Sequence, residues 1–241
     1  MWEEKDAFHI KGHDINWWWD KARMEIVHEC MKKVILHGRN LNILEIGAGY
    51  GGMTCMLTKF GSVKAIEPYS DAASYLRDNL KIETYHGTLE SFTETERYDL
   101  VTCFDVLEHV ADDGKALSKM ESLVNDKGFL VLTVPAYMFL WNRHDEINHH
   151  YRRYSRKELI KKIPLSFIVK KASYFNTLLF PMAILDKLLF AKNKRSYSLN
   201  PNKLINGILY KIFSIEKLIL QFANLPFGVS ILLIAEKRNS N

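Results

Sequence analysis

The stretch Leu41-Asn-Ile-Leu-Glu-Ile-Gly-Ala-Gly-Tyr-Gly-Gly52 decides the fold. Its first six residues form a short apolar run that stops at glycine, which reads as a buried strand. The glycines that follow permit a sharp turn and a close backbone approach to a ligand. Downstream, residues 50–60 suit a helix closed by Gly61, residues 62–67 a second strand, and residues 70–80 a helix with Ser70 as N-cap. Residues 82–85, 98–104 and 128–134 read as further strands, and residues 113–124 as another helix. Strand and helix thus alternate from Leu41 to Val134, which predicts an α/β fold with a parallel sheet covered on both faces.

Upstream, Trp17, Trp18, Met24, Ile26, Val27, Met31, Val34 and Ile35 fall at helical spacing and predict one or two helices over 13–38, ended by Gly38. After Pro135 the character changes. Residues 136–154 form a polar, aromatic, His-rich loop, followed by a helix over 155–162 and a strand over 168–174. Amphipathic helices are expected at 177–191 and 202–223, and a closing strand at 229–235. A single domain is expected: a helical N-terminal lid (1–40), a core (41–135), a loop and helical region (136–225), and a closing strand with tail (226–241).

With 241 residues, 47% of them hydrophobic, the chain is long enough to bury a full core, and it has no internal period. Cys30, Cys55 and Cys103 make neither a paired framework nor a metal-ligand spacing, which predicts buried thiols in a reducing, cytoplasmic compartment. The start, Met1-Trp-Glu-Glu-Lys-Asp6, is charged and lacks the apolar run of a secretory signal. Residues 218–235 carry no charge, but Gln221, Asn224, Pro226 and Gly228 favour a helix and then a strand over a membrane span. The net charge of +5 is mild, and its pairs and triplets (Arg152-Arg153, Arg156-Lys157, Lys161-Lys162, Lys192 to Arg195) do not form the broad stripe of a nucleic-acid binder.

Taken alone the glycine loop is ambiguous, because Gly47, Gly49 and Gly52 also satisfy the G-x-G-x-x-G pattern of dinucleotide binders. Glu67, at the end of the second strand, would accept ribose hydroxyls in either case. Glu45 argues against a dinucleotide: a carboxylate inside the first strand is unwelcome to a pyrophosphate. It is tolerable if it orients the loop or reaches the α-amino group of an amino-acid moiety. The segment Tyr98-Asp-Leu-Val-Thr-Cys-Phe-Asp-Val-Leu-Glu-His-Val110 adds a buried strand that ends in an acidic, aromatic turn.

Glu45-Ile-Gly-Ala-Gly49, Glu67 and Phe104-Asp-Val-Leu-Glu-His109 resemble, in order and spacing, the successive signature motifs of class I S-adenosylmethionine-dependent methyltransferases. The resemblance implies a Rossmann-like three-layer sandwich with a seven-stranded, mostly parallel sheet and an antiparallel last strand. It implies S-adenosyl-L-methionine as cofactor. Gly47, Ala48 and Gly49 would line its methionine part, Glu67 its ribose, and Thr88 and Leu89 its adenine, with Phe104 and Asp105 at the fourth strand's end. Where many relatives carry an aspartate after the third strand, this chain has His86-Gly87-Thr88, so backbone amides or the Thr88 hydroxyl would substitute. His109 either faces the cofactor or caps the next helix. Arg23 either binds the cofactor's carboxylate or pairs with an acidic neighbour.

The segment 135–154 leaves the fifth strand at the edge where ligands of open α/β sheets bind. Its His144-Asp145 and His149-His150-Tyr-Arg-Arg-Tyr154 resemble a bacterial methyltransferase subgroup, with His149 in place of that subgroup's glycine. Many members are linked to surface-glycan or lipid-linked sugar assembly, which implies a small-molecule or lipid-linked acceptor. Acceptor contacts are expected from Tyr137, Trp141, Arg152, Arg153 and Tyr154; the two arginines could instead pair with carboxylates of the domain. The methylated atom is an oxygen or a nitrogen. An amine that loses its proton before attack needs only positioning, whereas a hydroxyl needs a base, for which His150 leads, with Asp145 or Glu146 to orient it, then His144, then His149. No standard metal spacing is present, so no metal is expected. Trp17 to Trp19 read as lid and core packing or as an aromatic cage. Residues 177–195, with Lys187, Lys192, Lys194 and Arg195, either meet anionic lipid peripherally, or cover the site or form a dimer. Rival functions are a non-catalytic cofactor-binding module, a nucleic-acid methyltransferase and a dehydrogenase.

Overall fold

A computed structural model describes residues 17–35, 40–190 and 202–239. The expected helix start near His13, the Gly38 stop and the Lys192–Arg195 cluster lie outside the described residues. In chain order the elements are α1 (Trp18–Val34), β1 (Leu41–Ile46), α2 (Thr54–Leu57), β2 (Gly61–Glu67), α3 (Ser70–Asp78), β3 (Glu83–His86) and β4 (Tyr98–Phe104). After a 3₁₀ turn at Leu107–His109 come α4 (Asp113–Leu123), β5 (Val124–Pro135), α5 (Arg143–Ile147), α6 (Arg156–Lys162) and β6 (Phe167–Phe175). The chain closes with α7 (Phe180–Phe190), α8 (Lys203–Ser214), α9 (Glu216–Leu220) and β7 (Ser230–Lys237).

The seven strands make one sheet in the order β3-β2-β1-β4-β5-β7-β6. β7 runs antiparallel to both of its neighbours, and every other pair is parallel. The Rossmann-like, mostly parallel sheet with an antiparallel last strand is therefore present. Strand order reverses direction between β1 and β4, which opens a crevice beyond their carboxyl ends.

Alternate residues of each central strand face opposite layers. Leu44, Val101, Leu132 and Leu233 pack with Leu117, Met120 and Leu159 on one face. Ile43, Leu100, Val131 and Leu232 pack with Ile26, Met31 and Phe213 on the other. Trp18 is buried there, edge-on to Trp17, Trp19 and Phe213, which is core packing rather than a cage.

Four local expectations change. The helix expected over 50–60 shrinks to Thr54–Leu57, because Gly51 takes φ +84, outside the helical region. Ser70 is the first helical residue and caps nothing; Tyr69 holds the cap position without a side-chain bond. The helix expected over 202–223 divides at Ile215 into α8 and α9, where buried Glu216 accepts the Leu178 N–H at 2.8 Å. Cys30 and Cys103 are buried, but Cys55 is exposed. Among the described residues no helix is long and apolar enough to cross a membrane.

Two glycines test this packing in opposite directions. A Cβ on Gly228 would lie 2.3 Å from the Phe175 carbonyl oxygen, which cannot withdraw without parting β6 from β7. Gly207 sits inside α8 with open space around a Cβ. Gly228→Ala is expected to lower stability by about 1–3 kcal/mol, and Gly207→Ala to raise it by about 0.5–1 kcal/mol. Urea unfolding midpoints of the two variants check both signs.

Candidate active site

The β1–α2 turn and the end of β4 border a cleft of about 590 Å³, within the range of small-molecule sites. Arg23 and Met24 of α1, Glu45, residues 47–53, Phe104 and Asp105 line it. The backbone forms its floor: Gly47 and Gly49 take φ +72 and +54, and Gly49 and Gly52 have open space where a Cβ would sit. A side chain on Gly47 would strike Val106 at 2.3 Å, so glycine is required there on both counts.

Charge is concentrated on this wall. Glu45 is 1% exposed and accepts the Thr54 hydroxyl at 2.5 Å. Burial, reinforced by the charge of Glu67, pushes its pKa up to about 8 against the pull of Thr54 and Arg23. Glu67 accepts the N–H groups of Gly49 at 2.7 Å and Tyr69 at 3.0 Å, which ties the end of β2 to the glycine turn. Burial raises its pKa too, opposed by those two bonds. Arg23 meets Asp105 through Nη2 at 2.8 Å, yet its Nε is buried without a partner. A buried guanidinium donor left open beside a cleft is what a ligand carboxylate would satisfy.

Beyond Asp105 the chain enters the 3₁₀ turn and a second cluster. Asp145 is fully buried and accepts Arg153 Nε and Nη2, both at 2.8 Å, and His150 Nδ1 at 2.8 Å. Burial would raise its pKa, but the bonds from His150 and Arg153 outweigh that and hold it down at about 2. An ionised carboxylate only accepts, so the His150 proton sits on Nδ1 and Nε2 is left for other partners. His109 stands edge-on to His150, ring centres 4.5 Å apart. Burial, and then the neighbouring His150 ring, push its pKa down to about 4.

The chain matches the Methyltransferase domain family over residues 10–175. It belongs to that family. It is 26% identical over 138 residues to a ubiquinone biosynthesis O-methyltransferase of Rickettsia bellii (strain OSU 85-389), which covers 55% of this chain and 56% of that relative. The match thus spans little more than half the relative's length. Among solved structures, the plantazolicin methyltransferase BpumL in complex with SAH aligns with a TM-score of 0.62 at 12% identity, over 98% of this chain and 90% of that one. Phosphoethanolamine N-methyltransferase 2 of Haemonchus contortus in complex with S-adenosyl-L-methionine aligns with a TM-score of 0.58 at 12% identity, over 92% and 53%. At these identities the structural likeness is one of fold.

Within this methyltransferase fold, Arg23, Glu45, Gly47, Ala48, Gly49, Phe104 and Asp105 meet at the cleft. Glu67 reaches it through Gly49, whereas Thr88 is exposed and bonded to Ser91, and Leu89 packs in the core. His109 does not cap α4, since Asp112 does, and it joins His150 and Asp145 instead. His144 is exposed on α5. His149 takes φ +52, a left-handed conformation that a glycine adopts at lower cost.

The expected acceptor contacts fare differently. Arg153 is spent on Asp145, Arg152 on Asp113 at 3.1 Å and the Ala111 carbonyl at 2.6 Å, and Tyr154 is a core residue bonded to Asp113 at 3.0 Å. Tyr154 is buried, and both arginines are only part-buried. Tyr137 stacks on Tyr174, and the Trp141 carbonyl accepts Lys187. Sequence reasoning passed over Glu108, a buried acid whose Oε2 has no partner, although an acid beside a histidine in an apolar turn was its signal. It also passed over Met24, next to Arg23 on α1.

The Asp145 knot sets a measurable expectation. Asp145→Asn strands the Arg153 charge and should cost about 3–5 kcal/mol at pH 7. Because the native pKa is held at about 2 against an ordinary 3.8, the wild-type advantage is present above pH 3.8 and lost as pH falls toward 2. Denaturant unfolding of both proteins between pH 7 and 2.5 should show the two curves converging in acid.

Proposed function

We propose that the chain transfers the methyl group of S-adenosyl-L-methionine to a hydroxyl oxygen of a small or lipid-linked acceptor. The observation that carries this reading is the glycine-floored cleft whose wall pairs a buried, open Arg23 Nε with a buried Glu45. In it Arg23 suits the carboxylate of an amino-acid moiety and Glu45 its ammonium, while the bare backbone at Gly49 and Gly52 admits the body of the ligand. Glu67 retains lone pairs for ribose hydroxyls. The bound cofactor supplies a methyl group on a sulfonium, and the chain's own part is to align, desolvate and deprotonate.

Phe104 and Asp105 end β4 at the cleft, and the next turn leads to His109 and His150. In this reading His150, held by Asp145 in one tautomer, takes the proton of the acceptor hydroxyl through Nε2 as oxygen attacks the methyl carbon and the C–S bond breaks toward sulfur. An oxygen acceptor agrees with the Rickettsia relatives, and a lipid-linked one with the subgroup that the 144–154 segment resembles. A hydroxyl on a molecule with an apolar portion is common to both. Tyr137, Phe139, Phe180 and Phe227 form a contiguous aromatic series on and beside the loop that carries His150, and support an apolar acceptor. Exposed Met182, Leu185 and Leu188 on α7 support peripheral contact with lipid, which flotation with anionic vesicles tests.

Two substitutions separate cofactor binding from chemistry. Glu67→Ala is expected to weaken S-adenosylmethionine binding by about 1.5–3 kcal/mol, with circular dichroism unchanged; equal calorimetric affinity removes Glu67 from the site. His150→Ala is expected to lower turnover by about 10²–10⁴-fold at unaltered cofactor affinity, with the acidic limb of the pH–rate profile lost. Methylation is read as transfer of labelled methyl to extract components of differing polarity, and the absence of any transfer would leave a binding module.

A further inference from the structure

We propose that Glu108, His109 and His150 form a binding site for one divalent first-row metal cation such as Zn²⁺ or Mn²⁺. One ligand atom from each of the three lies within 4.8 Å of the other two. Small rotations of the side chains would bring such a triangle to metal–ligand distances of about 2 Å. Two imidazoles and a carboxylate suit these cations better than Mg²⁺ or Ca²⁺, which favour oxygen alone.

Three independent features make the cluster more than a chance grouping. Glu108 is 1% exposed, and its Oε2 is buried with no hydrogen-bond partner. An uncompensated buried carboxylate is unfavourable as an anion, and a cation is the partner that its open oxygen lacks. Second, His150 Nδ1 is fixed on Asp145, which the Arg153 fork fixes in turn. A carboxylate behind a histidine, leaving the far nitrogen to the metal, is the usual support of metal-bound imidazoles. Third, the His109 ring stands against His150 with ring centres 4.5 Å apart, which sets a second imidazole beside the Glu108 carboxylate.

Three protein ligands leave coordination positions open, and an acceptor hydroxyl could occupy one. This consequence rests on the hydroxyl-acceptor reading above and changes the part of His150 within it. The cation would lower the hydroxyl's pKa, as it does for water. The proton would then pass to solvent rather than to His150, and the oxygen would still attack the methyl carbon with the C–S electron pair leaving on sulfur.

The test starts from chelator-treated full-length protein without S-adenosylmethionine, titrated with ZnCl₂ or MnCl₂ in a calorimeter at pH 7. One cation per chain is expected, with affinity lowered at least tenfold by Glu108→Gln and by His109→Gln and unaltered by His28→Ala. Co²⁺ in place of Zn²⁺ should give visible absorption bands of nitrogen–oxygen coordination that Glu108→Gln alters. Wild-type protein needs no mutant for this readout, so a variant that fails to fold does not block the test. Absence of binding, or binding indifferent to Glu108→Gln, overturns the site. Methyl transfer that survives exhaustive chelation yet falls on His150→Ala overturns the cation and leaves the methyltransferase reading intact. Stoichiometric binding at the three residues in protein that transfers no methyl group supports the cation while that reading fails.

Discussion

Asp105 leaves β4 in the left-handed region, at φ +52, a conformation that a residue with a side chain holds only when its surroundings enforce it. Here they do so on three sides. Its N–H donates to the Thr133 carbonyl at 2.9 Å, Oδ1 accepts the Thr133 hydroxyl at 2.9 Å, and Oδ2 meets Arg23 at 2.8 Å. α1 and the ends of β4 and β5 are thereby tied at one carboxylate. The strained turn sends the chain directly into the 3₁₀ segment that carries Glu108 and His109, while Asp105 itself stays on the cleft wall. Cleft and histidine cluster are two sides of one bend, and loss of that bend would separate them.

The electrostatics of the bend are lopsided. Glu45, Glu67 and Glu108 are all buried, and burial raises the pKa of each. Among the described residues lining the cleft, Arg23 is the one Lys or Arg, and its Nη2 is already engaged by Asp105. Burial disfavours the anion at each acid and a cationic centre beside it restores it, so such a wall favours ligands with cationic centres over a pyrophosphate. The same physics separates this cleft from a dinucleotide site, although the glycine pattern alone suits both.

Legibility followed the range of the interaction. The alternation of apolar strands with helices is local, and it carried the sheet from β1 to β5 with boundary errors of a few residues. The glycine turn was legible because a close backbone approach leaves its mark on residue type. The length of α2 was not, since the left-handed Gly51 unwinds a segment whose apolar spacing still suits a helix. The break at Ile215 escaped for another reason: it serves the burial of Glu216 against the start of the 176–179 segment, a contact across 38 positions of chain.

The arginine pair shows the harder limit. In sequence Arg152 and Arg153 look like a fork displayed to a ligand, and neighbouring residues cannot reveal which carboxylates lie across the fold. Asp145, eight positions before Arg153, becomes its partner only because α5 doubles the chain back, with Asn142 and Asp145 closing a capping box. Asp113, partner of Arg152, Tyr154 and Lys162, is brought in from another helix altogether. Two guanidinium groups that would otherwise attract a phosphate are neutralised inside the loop, and Lys187 is turned onto the Trp141 carbonyl. Beside the histidines the stretch exposes the apolar and aromatic Met138, Phe139 and Tyr151 together with the charged Arg143 and Glu146. The two arginines thus act within the fold: Arg153 holds Asp145, and with it the loop that carries His150, while Arg152 ties that loop to Asp113 and the Ala111 carbonyl.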